Sequence, residues 1–248
     1  MDQAAITAAS GLHSRMQALD LLSNNLANSA TGGYKLDREF YSLFSSDEIT
    51  GFETEGQPAQ LPFVKSQWTD FTQGTLTPTG NPLDVALDGP GFFVVNGPSG
   101  PLYTRNGSFH LSSSGILTTS DGRTVATVDG QPIQTQSTAP LQISNDGTVQ
   151  QDGNTLGQLK IVDFKNKLTL AKQGNSDFVN NDPTMQPVAS DANVSQSRLE
   201  QSNVAPAESA VRLVDVMRQF EMLQKAITLT TDMNKEALQE VARVGGGA

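Results

Sequence analysis

Between Ala4 and Asn28, apolar or small residues recur at Ala5, Ala9, Leu12, Met16, Leu19, Ser23 and Leu26, in alternating steps of four and three. The segment lacks proline. This spacing predicts a helix with a coiled-coil type of seam, widened by Ile6 and Leu22. Spacing alone leaves two uses open: a seam that meets other helices, or an amphipathic face packed on its own domain. The run Asn28-Ser29-Ala30-Thr31-Gly32-Gly33 supplies the small polar residues and glycines that end a helix.

From residue 35 to 80 the pattern is irregular, with Pro58, Pro62 and Pro78, and predicts an extended connection. The period then changes to short β-like runs at Gly91–Val95, Leu102–Thr104, Ser108–Leu111 and Gly157–Phe164. Asn-Gly and Asp-Gly pairs punctuate them at 88–89, 96–97, 106–107, 121–122, 129–130, 146–147 and 152–153. These dipeptides suit tight turns, so the middle of the chain is expected to be an antiparallel β domain.

A second helical pattern begins near Pro206 and runs to about Val244, with proline suited to the first turn. One seam runs Ala210, Leu213, Met217, Phe220, Gln224, Ile227, Thr231, Asn234, Leu238 and Val241. Another runs Leu223, Ala226, Thr230, Met233 and Ala237. Two adjoining seams suit a helix with neighbours on two sides, although one broad docked face remains the plainer use. The expected fold is therefore α+β: long N- and C-terminal helices packing as a coiled-coil-like pair and bracketing a central antiparallel β domain. The divisions are a helix and turn at 1–34, a connection at 35–80, the β domain at 81–187, and a linker with the second helix at 188–248.

Composition narrows the functional classes. The 16 Lys and Arg against 26 Asp and Glu give a net charge of −10, which repels a phosphate backbone, so nucleic acid is not an expected partner. No apolar run is long enough to cross a bilayer as a helix. The helices are not enriched in basic residues, so direct lipid binding is not expected either. The N-terminus carries neither a basic region nor an apolar core of a cleaved signal, which implies a cytoplasmic chain or another export route.

Catalytic chemistry finds little support. Zero cysteines exclude disulfides, thiolate metal sites and cysteine nucleophiles. His13 and His110 fall in different segments without ligand-spaced partners, so no metal or cofactor is expected. The central aspartates are mostly turn residues, and their spacing fits no calcium loop. Neither Ser112-Ser113-Ser114-Gly115 nor Gly32-Gly33 matches a nucleophile elbow or a phosphate-binding loop. Trp68 and the Phe92-Phe93 pair could line a binding surface, but core packing is their more common use. An enzyme is not expected.

Four blocks carry a resemblance. The stretch Ser23-Asn24-Asn25-Leu26-Ala27-Asn28-Ser29-Ala30-Thr31-Gly32-Gly33-Tyr34-Lys35 resembles the N-terminal signature of bacterial flagellar rod and hook proteins. Asn81 to Phe93, Tyr103-Thr104-Arg105-Asn106-Gly107-Ser108-Phe109 and Leu199-Glu200-Gln201-Ser202-Asn203-Val204 agree with the same family in order. Two departures occur: Gly32-Gly33 stands where the family often has proline, and Ala205 where it often has asparagine.

The resemblance implies a non-enzymatic axial subunit that polymerises through its terminal helices, with the β domain outside. Its partners would be other copies of itself, other rod proteins and the flagellar type III export apparatus, with no signal cleavage. The opening Met1-Asp2 and the short 35–80 connection are more similar to the proximal than to the distal rod protein. The expected subunit-contact residues are Leu12, Met16, Leu19, Asn24, Asn25, Leu26 and Asn28 on the first helix and its end. On the second they are Leu213, Met217, Phe220 and Ile227. The alternatives are a distal rod or short hook-type subunit, or a secreted β-rich adhesin with helical oligomerisation ends.

Overall fold

The computed structural model describes residues 3–45, 60–137, 139–174 and 176–245. Two compact units share the chain. The first is built from Met1–Ala27, Asp37–Trp68 and Ala205–Ala248, the second from Asn28–Leu36 and Thr69–Val204. Both are therefore discontinuous in sequence, and the chain passes from one to the other after Ala27, Leu36, Trp68 and Val204.

In the first unit, helix α1 spans Gln3–Ala27 and helix α2 spans Pro206–Gly245. Strands β1 (Leu36–Ser45) and β2 (Gln60–Asp70) form a two-stranded ribbon, most of it in this unit. The helices pack on each other through Ala18, Leu22 and Val216, with Leu19 and Leu213 against them. Gly11 faces Leu223, so the pair runs antiparallel. Asn25 is fully buried; its amide donates to the Asp37 carbonyl at 2.8 Å and its carbonyl oxygen accepts from the Asp37 amide at 3.0 Å. This reciprocal pair ties the last turn of α1 to the ribbon. Asn25→Ala would remove both of these bonds from a buried site and is expected to lower stability by about 1–3 kcal/mol in denaturant titration.

The second unit carries the remaining strands: β3 (Leu76–Pro78), β4 (Val85–Asp88), β5 (Phe92–Gly97), β6 (Gly100–Thr104), β7 (Phe109–Leu111), β8 (Leu117–Thr119), β9 (Gln142–Ile143), β10 (Thr148–Gln151), β11 (Asn154–Gln158), β12 (Ile161–Asp163), β13 (Leu170–Lys172), β14 (Asp177–Asn180), β15 (Val188–Ala189), β16 (Asn193–Gln196) and β17 (Arg198–Glu200). A six-stranded antiparallel sheet in the order β13-β14-β6-β5-β12-β15 is accompanied by smaller sheets, β11-β10-β9, β16-β4, β17-β3 and β7-β8. The alternation along β5 explains its place at the centre. Phe93 enters a cluster with Val85, Phe109 and Ile133, while Phe92 and Val94 point to the other face, against Phe164 and Phe178. Each phenylalanine so buried contributes roughly 1.5–3 kcal/mol.

The Asp-Gly pairs at 121–122, 146–147 and 152–153 form tight turns, in two geometries. Asp152 and Gly153 both take positive φ (52° and 80°) in the two-residue turn between β10 and β11. Gly122 and Gly147 instead end three-residue turns, where only the third residue is left-handed. Asn96-Gly97 is no turn: Asn96 pairs with Pro101 inside the β5–β6 ladder. At Gly107 the cause is close approach, since the Val85 amide donates to the Gly107 carbonyl at 3.0 Å and an added Cβ would collide with the Val85 carbonyl. Gly107→Ala is expected to cost about 3 kcal/mol, measured as a lowered unfolding midpoint.

The α+β class holds, but the coiled-coil-like pair around a single antiparallel β domain requires correction. The β part is split among several sheets, and the helices differ in length, 25 residues against 40. In α1 the buried positions are Gly11, Ser14, Ala18, Leu21, Leu22 and Asn25. This face is rotated roughly a third of a turn from the expected seam. Ala9, Met16 and Ser23 of that seam are exposed, and of Ala5 and Ile6 only the helical backbone is described. The physical reason is size: Gly11, Ser14 and Ala18 let α2 come close, which larger seam residues would prevent. On α2, Met217 and Gln224 of the expected seam are exposed, whereas their neighbours Val216 and Leu223 are buried and partly buried. The side chains of Leu238 and Val241 lie outside the described residues. The run Gly157–Phe164 is also broken, at Leu159-Lys160, into the ends of β11 and β12.

Candidate assembly surface and its anchor

The expected contact residues divide into four groups. Leu19 and Leu213 pack at the centre of the helix pair. Leu12, Leu26, Asn28, Phe220 and Ile227 are half-buried, while Asn24, Met16 and Met217 are exposed. Asn25 is buried and bonded within the chain, and Asn28 accepts from Thr31 Oγ1 at 3.3 Å. Sequence spacing thus gathered residues with different fates, because a seam of alternating fours and threes can be drawn along more than one line of the same helix.

A second apolar surface lies on the outward side of α2. At about 100° per residue, Val211, Met222, Leu229 and Met233 share one face, opposite the face that carries Leu213, Val216, Leu223 and Ile227. They are 64, 61, 64 and 69% exposed. Met16 occupies the corresponding outward side of α1. Length adds to this. With Gly11 beside Leu223, the antiparallel register carries α2 past the described start of α1 near Thr231. The last four turns of α2 therefore have no described residue of α1 beside them. Outward apolar residues of this kind, interspersed with Asp215, Arg218, Lys225 and Glu236, suit a helix that meets further helices.

The segments that lead into the helices are anchored in the second unit by a buried charge network, which spacing did not reveal. Lys35, just beyond α1, places Nζ 2.6 Å from Glu200 Oε1 and donates to the Thr72 carbonyl at 2.7 Å. Glu200, shortly before α2, receives Arg105 at Oε2 (3.2 Å) and the Gly74 amide at Oε1 (2.9 Å). Arg105 also donates to the Gly89 carbonyl at 2.8 Å and lies over the Phe92 ring. All three charged side chains are essentially without solvent contact. Burial pulls the Lys35 ammonium below its ordinary range, opposed by the Glu200 charge, and burial acts on Arg105 in the same direction.

Backbone bonds complete the anchor. The Gly33 amide donates to the Glu200 carbonyl at 2.7 Å, and the Leu36 amide donates to Asn203 Oδ1 at 2.7 Å. Asn203 in turn donates to the Asp70 carbonyl at 2.8 Å. Gly33 has φ +69°, and a side chain there would collide with the backbone at Arg105 and Asn106. Of the Gly32-Gly33 pair, the second glycine thus meets a local steric need. At the second departure, Ala205 serves through its backbone alone, its carbonyl accepting from the Ser209 amide at 3.0 Å.

His13 and His110 are exposed, and no cluster of potential metal ligands occurs among the described residues. Phe92 and Phe93 are core residues, whereas Trp68 is partly exposed with Arg38 over its ring.

Three family models match the chain. Residues 7–35 match the flagella basal body rod protein model, residues 86–151 the flagellar hook protein FlgE/F/G D1 domain, and residues 195–240 the flagellar basal body rod FlgEFG protein C-terminal model. A flagellar basal-body rod protein FlgG of Agrobacterium fabrum is 31% identical over 93% of this chain and 96% of its own length. The chain belongs to the flagellar basal-body rod protein family. A FlgF rod protein of Caulobacter vibrioides is 29% identical, covering 98% of the chain and the whole of that relative. A FlgF of Mesorhizobium japonicum is 29% identical over 89 and 90% of the two chains. As a rod-family member the protein is located in the flagellar basal body. Each matched segment supplies one charge of the buried network: Lys35, Arg105 and Glu200. The charged residue within each quoted block was the available signal, but nothing in the blocks said that the three would meet.

Proposed function

We propose that the protein is a non-enzymatic building block of the proximal rod, which polymerises through its terminal helices and transmits torque from motor to hook. The observation that carries this reading is the apolar outward face of α2, which is exposed among the described residues. The half-buried Leu12, Leu26, Phe220 and Ile227 and the exposed Met16 and Met217 would be completed by neighbouring copies and by other rod proteins. The anchor suits a load-bearing role, because both helix-leading segments are bound to one carboxylate. The proximal position is supported by the short connection at 35–80.

Delivery through the flagellar type III export apparatus without signal cleavage belongs to the same reading, as does the absence of direct lipid binding. Among the described residues, no helix is long and apolar enough to cross a membrane. The test is to tag the chain and locate it along purified basal bodies by labelled electron microscopy. Label near the base of the rod is expected. Label towards the hook would select a distal position, and absence from basal bodies would overturn the reading.

A further inference from the structure

The chain contains six methionines and no cysteine, so its thioethers are its softest oxidisable groups. They are not distributed as core filler. Met16, Met217, Met222 and Met233 are all exposed on the two helices, whereas Met185 is half-buried against the aromatic cluster of the second unit. Met222 and Met233 stand on the face of α2 opposite its contact with α1, beside Leu229. A flexible, polarisable side chain suits a surface that meets several non-identical neighbours. It also leaves that surface open to a small oxidant before assembly.

We propose that Met222 and Met233 form a peroxide-sensitive modification site, and that their conversion to the sulfoxide blocks entry of the subunit into the rod. The inference rests on the assembly reading given above. In the step, a sulfur lone pair attacks one oxygen of hydrogen peroxide. The S–O bond forms as the O–O bond breaks, and the proton on the transferred oxygen passes to the departing one, which leaves as water. The thioether loses two electrons and the peroxide gains them. The product is a bulkier, polar acceptor on a face whose apolar residues, Val211 and Leu229, offer it no side-chain donor; Arg218 and Lys225 stand within one turn of Met222, and Leu229 one turn before Met233. Burying such a group without a partner weakens a contact by on the order of tenfold. Two sulfoxides on one helix face would act together. A methionine sulfoxide reductase would restore the subunit, making the effect reversible.

The test uses the full-length wild-type chain in cells. A brief pulse of hydrogen peroxide oxidises the unassembled pool in part, catalase removes the excess, and rod assembly is then induced. Peptide mass spectrometry compares sulfoxide at each methionine between chain recovered in new basal bodies and chain left outside them. Sulfoxide at Met222 and Met233 is expected to be at least fivefold depleted in the rods, with Met185 equal in both pools. Equal occupancy at Met222 and Met233 in the two pools would overturn the inference while leaving the rod assignment intact. Absence of the chain from basal bodies without peroxide would overturn the assembly reading itself. A Met222→Leu, Met233→Leu chain, which keeps the exposed Met16 and Met217, provides a second arm: its incorporation should fall less under the pulse than that of the wild type, and an equal fall would count against the site.

Discussion

Replacing Glu200 with alanine is expected to destabilise the protein by about 3–5 kcal/mol, the range for removing one partner of a buried ion cluster. Lys35 and Arg105 would remain in the interior with no carboxylate between them. Their backbone acceptors, the Thr72 and Gly89 carbonyls, are too weak to balance two positive charges. The Gly74 amide would lose its acceptor as well. Glu200→Gln keeps the shape and an oxygen acceptor but no charge, and is expected to cost less than alanine. Adding Lys35→Met to Glu200→Gln should recover part of the loss, because one unbalanced charge leaves with it. Denaturant titration of the four chains, wild type included, measures this coupling. A loss below about 1 kcal/mol for Glu200→Ala would show that the network is not the anchor described here.

The second large effect is expected in assembly rather than stability. Leu229 is exposed on the outward face of α2, so Leu229→Asp should change the unfolding free energy of the free chain by no more than about 0.5 kcal/mol. Incorporation into basal bodies should nevertheless fall at least about a hundredfold, because an unpaired carboxylate would enter an apolar contact. Quantitative immunoblotting of purified basal bodies measures the fall. The contrast separates this position from Val216, where an acidic substitution would disrupt the chain's own helix pair and could not report on assembly alone.

The helices were legible in the sequence because long periodic runs without proline, ended by glycines or begun by proline, have few other conformations. The face that α1 buries was not legible. A rule that weights large apolar residues selects Leu12, Met16 and Leu19, whereas contact with α2 selected Gly11, Ser14 and Ala18 for their small size. The turn pairs were informative where glycine takes positive φ, as at Gly153, and misleading at Asn96-Gly97, where the ladder continues. The buried charges illustrate a different limit. Lys35 and Glu200 are separated by 165 positions, and a lone charged residue in a loop motif resembles a solvated one until the fold brings its partner to it. The ribbon of β1 and β2 lay in a segment whose prolines argued against helix but gave no pairing partner.

The central claim is that the outward face of α2 is covered by other subunits in the rod. Because the chain has no cysteine, a single Leu229→Cys substitution creates a unique thiol. Maleimide labelling of that thiol, in the free chain and in intact purified basal bodies, tests the claim most directly. The predicted result is rapid labelling of the free chain and at least tenfold slower labelling in the rod. Equal labelling in both, with the chain present in the basal body, would contradict the claim.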